Sequence, residues 1–136
     1  IQAQIINLLI DLKESLGLAI LFISHDLRVV RYISDRVAVM YLGSLVETAT
    51  TDDLYDRPLH PYTRVLLDAA PSMDESARLS TQAVVLGELP SPINVPHGCR
   101  FHPRCPYADE TCATVCPALH EAAPGHVVAC HHPLSV

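Results

Sequence analysis

Eleven prolines stand in this 136-residue chain, and none of them precedes Pro58. Proline fixes φ near −65° and donates no backbone N–H, so it breaks helix interiors and sheet ladders alike. The first 57 residues are therefore free to build regular structure, while the later ones are restricted to short elements, turns and extended stretches. All five cysteines, Cys99, Cys105, Cys112, Cys116 and Cys130, also lie in the proline-rich half. A regular portion is thus followed by a stiff, cysteine-bearing one.

Within the first portion, residues 1–16 carry apolar side chains at 1, 5, 8, 9, 12 and 16, the spacing of one helix face, and Gly17 supplies a stop. "LAILFI" (18–23) reads as a strand buried on both faces of a parallel sheet. Ser24 and Asp26 are placed to cap a helix over "DLRVVRYI". Residues 36–41 and 44–48 flank Leu42-Gly43 and predict a β-hairpin. A short helix is expected over 52–56, started by Thr51, and another runs from Pro61 to just before Pro71. Residues 71–80 are polar and read as a linker, and "VVLGELPSPINVPHGCRFHPRCP" can only be extended or turn-like. The order helix, buried strand, helix, hairpin, two helices makes the fold class α/β, the closing third of such a domain. Because the chain starts at Ile1 already in helical pattern, with no Met and no cap, it is expected to be a piece of a longer protein.

A net charge of −6, spread evenly, argues against nucleic acid or an anionic membrane surface as partner. Charged residues interrupt every apolar run short of a membrane span, and nothing resembles a signal peptide, so the expected compartment is the cytosol. His25 follows "LAILFI" by two residues, where ligands sit in open parallel sheets. There an imidazole can donate to a phosphate oxygen or hold a water. Asp26 and Asp35 read as capping and local ion-pairing groups, Glu47 as a solvated residue on a sheet edge, and His60 as shaping the start of a helix without chemistry of its own.

"SHDL" after a buried strand resembles the switch-histidine loop of ATP-binding cassette proteins. "RVVRYISDRVAVMYLGSLVE" resembles that family's last sheet strands, and "QAQIINLLIDLKESLGLAILFISHDL" the helix after its D-loop. "RPLHPYTRVLL" is similar to the "HPYT" segment of the oligopeptide/dipeptide (and nickel) importer branch, and "GELPSPINVPHGCRFHPRCPYA" to that branch's C-terminal extension. The resemblance covers essentially the whole chain. It implies a C-terminal portion of a P-loop nucleotide-binding domain over 1–70, a linker over 71–89 and a small, mostly irregular cysteine-rich extension over 90–136. It also implies that His25 contacts the γ-phosphate of ATP and places the attacking water, a catalytic role of positioning and electrostatics. The phosphate loop, the "LSGGQ" signature and the Asp-Glu pair that hold Mg²⁺ and supply the catalytic carboxylate are absent from this sequence. The chain alone is therefore not expected to hydrolyse ATP.

The cysteine intervals are five, six, three and thirteen residues. They lack the paired C-x₂₋₄-C knuckles of a zinc ribbon, and a disulfide framework would leave one thiol over. An iron–sulfur cluster, a zinc ion with help from His102, His131 or His132, and free thiols all remain open on spacing alone. The resemblance implies that Cys99, Cys105, Cys112 and Cys130 hold a [4Fe–4S] cluster in at least some members. Cys116 departs from the pattern and stands four residues from Cys112. The implied partners are a second ATPase subunit, transmembrane permease subunits and, indirectly, an extracytoplasmic peptide-binding protein, with the protein peripheral on the cytoplasmic face of a bacterial membrane. A rival reading is a free-standing iron–sulfur or zinc module without ATP chemistry. A hydrolase using His25 as general base lacks a nucleophile or second acid beyond Ser24 and Asp26 of the same turn.

Overall fold

The computed structural model describes residues 2–70 and 93–135. The linker expected over 71–89 and the first residues of the extension lie outside them. The chain divides into two compact units, one up to Asp35 and one from Arg36.

In the first unit, helix α1 spans Gln2–Leu16 and ends as the glycine requires: Gly17 takes φ 63°, and the Leu18 amide bonds back to the Lys13 carbonyl at 3.0 Å. Helix α2 spans Leu27–Ile33, and Asp26 caps it by accepting from the amides of Arg28 and Val29. Lys13 pairs with Asp35, and the Tyr32 hydroxyl reaches Asn7. Both expected roles, capping for Asp26 and ion pairing for Asp35, are realised. The strand expected over 18–23 does not form: those residues have no regular structure, and Leu21 and Ile23 are 88% and 87% exposed. A parallel strand needs neighbours to pair its backbone groups, and the described residues supply none.

The second unit is built on an antiparallel sheet. Strands β1 (Arg36–Tyr41) and β2 (Ser44–Thr50) form the expected hairpin, turning through Leu42 at φ 45° and Gly43 at φ 77°. Two positive φ angles in a two-residue loop match the right-handed twist of the strands. Helix α3 (Thr51–Asp56) starts one residue earlier than its sequence suggests, because Thr50, not Thr51, caps it through the Asp53 amide. Helix α4 spans Pro61–Ala69. After a 3₁₀ turn at His102–Arg104 come helix α5 (Glu110–Thr114) and strands β3 (His120–Ala123) and β4 (His126–Val128). The sheet order is β1-β2-β4-β3. The proline-rich segment thus contributes two strands to the sheet of the hairpin, so it is less irregular than expected. Its second hairpin turns at Pro124-Gly125, a dipeptide suited to turns that the flanking short strands leave inconspicuous.

A bulge decides the core. Val39 pairs with Glu47 and Met40 with Leu45, leaving Val46 as the extra residue of β2. Both Val46 and Glu47 are thereby buried, and Glu47 shares the inner face with Val39 and Val128. Glu47 is 0% exposed, which corrects its reading as a solvated edge residue: β4 covers that side of β2, so the edge does not exist. The carboxylate is satisfied by the Leu59 amide at 2.7 Å, the His60 amide at 2.9 Å and His126 Nε2 at 2.7 Å. His60, 1% exposed, caps α4 by accepting the Tyr62 amide at Nδ1. It has the structural role read from the sequence.

Truncating Glu47→Ala leaves two backbone donors and an imidazole buried without an acceptor, at about 1–3 kcal/mol each. The variant should lose roughly 4 kcal/mol of unfolding free energy, and Glu47→Gln less. Denaturant titration measures this, and an unchanged midpoint for Glu47→Ala would contradict the role assigned to the carboxylate. Burial also holds the His60 imidazole down at a pKa of about 4, against a weaker upward pull from Glu47. The unfolded chain takes up a proton near the ordinary pKa of 6.5, whereas the folded one does so near 4. Stability should therefore fall as pH drops from about 6.5 to 4, by up to about 3 kcal/mol. This component should vanish in His60→Asn, which keeps an oxygen for the cap.

Candidate functional site

His25 belongs to the first unit and the cysteines to the second. His25 is exposed in the turn ahead of α2. Ser24 Oγ accepts the Asp26 amide at 3.0 Å, and Asp26 then caps the helix, so both neighbours fix the turn as their residue types suggest. The imidazole is left on the surface, free to meet a ligand.

The cysteine loop is anchored by the residues between its cysteines. Phe101, 1% exposed, packs edge-on to Tyr41 with ring centroids 5.3 Å apart, against Tyr62 at 5.4 Å and near His60 at 5.9 Å. Arg100 bonds the Leu42 carbonyl at the β1–β2 turn. The "HPYT" segment thus forms a socket for the Phe of "CRFHPRC"; two motifs forty residues apart are packing partners. The Cys99 amide bonds the Cys112 carbonyl at 2.7 Å, which joins the first and third cysteines. This approach requires Gly98: its φ is 66°, and a β-carbon there would stand 2.4 Å from the Cys112 carbonyl oxygen.

Electrostatics couples the thiols to one another, Cys116 to Cys99 included. Burial first, with charge on Cys105, Cys99 and Cys112 adding to it, raises Cys130 to about 11. Burial also raises Cys99, against the amides of Phe101 and His102 aimed at its sulfur, and raises Cys105, against the Tyr107 amide. The His132 amide faces Cys130 in the same way. Thiols that are costly to ionise alone, yet are met by backbone donors, suit thiolates held by a cation. Cys116 is exposed and stands beyond the end of α5.

The histidines raised as zinc ligands are occupied differently. His102 Nδ1 pairs with the Cys99 carbonyl and His131 Nε2 with the Val115 carbonyl, each at 2.9 Å, and so they brace the loops. His132 Nε2 lies 2.9 Å from Asp109 Oδ2. Asp109, which the sequence reading passed over, caps α5 by accepting the Cys112 amide at Oδ1, 2.9 Å away. That bond first, and His132 next, hold its carboxyl down at about 2. An Asp three residues before a cysteine is the signal that could have found it. Among the described residues, the one set of three or more metal-ligating groups with atoms all within 4.8 Å of one another is Asp109, Cys112 and His132.

Comparison with known proteins agrees with these motifs. Residues 46–112 match the family model described as the oligopeptide/dipeptide transporter, C-terminal region. Residues 46–112 are thus similar to this family over just under half of the chain. A putative peptide import ATP-binding protein of Brucella ovis is 58% identical over 130 residues, covering 96% of this chain and 41% of the relative. The oligopeptide transport ATP-binding protein AppF of Bacillus subtilis is 54% identical over 132 residues, covering 96% and 40%. The dipeptide transport ATP-binding protein DppF of Haemophilus influenzae is 47% identical over 132 residues, covering 97% and 40%. The chain spans about two fifths of the length of the curated relatives it matches. The matched region contains Phe101, its neighbours His60 and Tyr62, and three of the five cysteines. No helix among the described residues is long and apolar enough to cross a membrane.

Proposed function

We propose that the chain serves as the C-terminal portion of the ATP-binding subunit of a peptide importer, with residues 1–70 closing the nucleotide-binding domain and 90–136 forming its extension. The observation that carries this reading is the 58% identity, sustained over 96% of the chain, with a putative peptide import ATP-binding protein. In that role the exposed His25 meets the γ-phosphate of ATP, with Mg²⁺ and the catalytic carboxylate supplied by sequence outside this chain. A second ATPase subunit and transmembrane permease subunits are the partners, a peptide-binding protein delivers the solute, and the assembly sits on the cytoplasmic face of the membrane. Exchanging the matching portion of Bacillus subtilis AppF for this chain should preserve ATP-driven oligopeptide uptake. His25→Ala in the same chimera should reduce uptake and ATP turnover by at least about 100-fold while leaving ATP binding in place. A chimera that assembles and transports regardless of His25→Ala would defeat the assignment.

The extension is further proposed to hold a [4Fe–4S] cluster on Cys99, Cys105, Cys112 and Cys130. The support is the Cys-x₅-Cys-x₆-Cys spacing with Cys130 beyond it, together with the 2.7 Å bond from the Cys99 amide to the Cys112 carbonyl that brings two of the four together. The cluster would supply a covalent tie among segments whose largest fully buried side chain, among the described residues, is Phe101. Anaerobically purified protein should contain about four iron and four sulfide per chain. Changing any of the four cysteines to Ser, or Gly98→Ala, should lower that content, and Cys116→Ser should not. One zinc per chain without sulfide, lost with each of the four, would overturn the cluster.

A further inference from the structure

Asp109, Cys112 and His132 form a second donor set that overlaps the four cysteines in one residue. Asp109 and His132 are exposed and Cys112 is buried, so an ion has a path in from solvent and one anchored thiolate at its base. The three ligand atoms lie within 4.8 Å of one another, within reach of tetrahedral separations after a small contraction. The carboxylate already meets both partners: its Oδ2 is 2.9 Å from His132 Nε2, and its Oδ1 accepts the Cys112 amide at 2.9 Å. Residue types agree as well, since one thiolate, one imidazole and one carboxylate are a borderline-soft set that favours zinc over magnesium or calcium.

We propose that Asp109, Cys112 and His132 bind a single Zn²⁺-like cation when no cluster is present, with solvent completing the coordination. The charges of a carboxylate, a thiolate and the ion cancel, so the loaded site adds no net charge beside Cys130. Binding releases one proton, from the Cys112 thiol, and moves the His132 ring proton from Nε2 to Nδ1, freeing the Nε2 lone pair. Because Cys112 serves both sets, the ion and a cluster exclude each other, and the extension has two alternative loading states. The site stands on its own geometry and does not depend on the cluster.

The test is an anaerobic Co²⁺ titration of the whole chain after iron and zinc have been removed. Tetrahedral d–d bands should appear with the sulfur-to-cobalt charge transfer of one thiolate, and Zn²⁺ should bleach them. Asp109→Asn, which keeps an oxygen for the helix cap, and His132→Ala should each weaken Co²⁺ binding more than about tenfold. Cys105→Ser should leave it unchanged. Circular dichroism of each variant separates loss of a ligand from loss of fold. Charge transfer of four thiolates that survives His132→Ala and disappears with Cys105→Ser would overturn the proposal, as would absence of tetrahedral Co²⁺ in the folded parent protein. Iron and sulfide analysis reads the cluster separately, so failure of either assignment leaves the other measurable.

Discussion

The second unit is organised around one buried carboxylate. Glu47 lies on the inner face of the sheet and accepts from the amides of Leu59 and His60 and from the imidazole of His126. A lone carboxylate in that position would cost several kcal/mol; with three donors converging on it, the cost is offset and their geometry is prescribed. The donors come from the approach to α4 and from β4, so satisfying one side chain brings together segments that are 79 residues apart. The bulge at Val46 makes this possible by turning two successive residues of β2 inward.

The cysteine loop depends on that arrangement at one remove. His60, whose amide Glu47 holds, begins the helix that presents Tyr62, and His60, Tyr62 and Tyr41 form the socket for Phe101. Phe101 and the Arg100 contact with the hairpin turn then locate Cys99 and Cys105. Gly98 admits Cys112 against Cys99, and Asp109 links the Cys112 helix to His132 just beyond Cys130. A site that belongs to a short, proline-rich segment with little core of its own is thus held by the sheet.

Several elements were legible because their cause is local. The α1 stop at Gly17, the Asp26 cap, the β1–β2 hairpin and the helix from Pro61 each follow from a residue within a few positions of the feature it creates. The strand expected at 18–23 had the right composition but no described neighbour to pair with, and composition cannot provide a ladder. Glu47 was misread for the complementary reason: β4, which covers its side of β2, arrives from residues 126–128, and no local pattern announces that pairing.

By itself the amino-acid sequence determined the likeness to the oligopeptide/dipeptide transporter C-terminal region, through motifs such as "HPYT" and "CRFHPRCP", and the identity of the residues that could carry chemistry, His25 and the cysteines. Only the tertiary structure decided that Glu47 is a buried acceptor, that the two motifs are packing partners, and that Asp109 joins Cys112 to His132. The division has a physical cause. Residue type and local spacing record what a group can do, whereas burial and long-range pairing arise when distant segments remove each other from water, and the sequence near each residue carries no record of its partner.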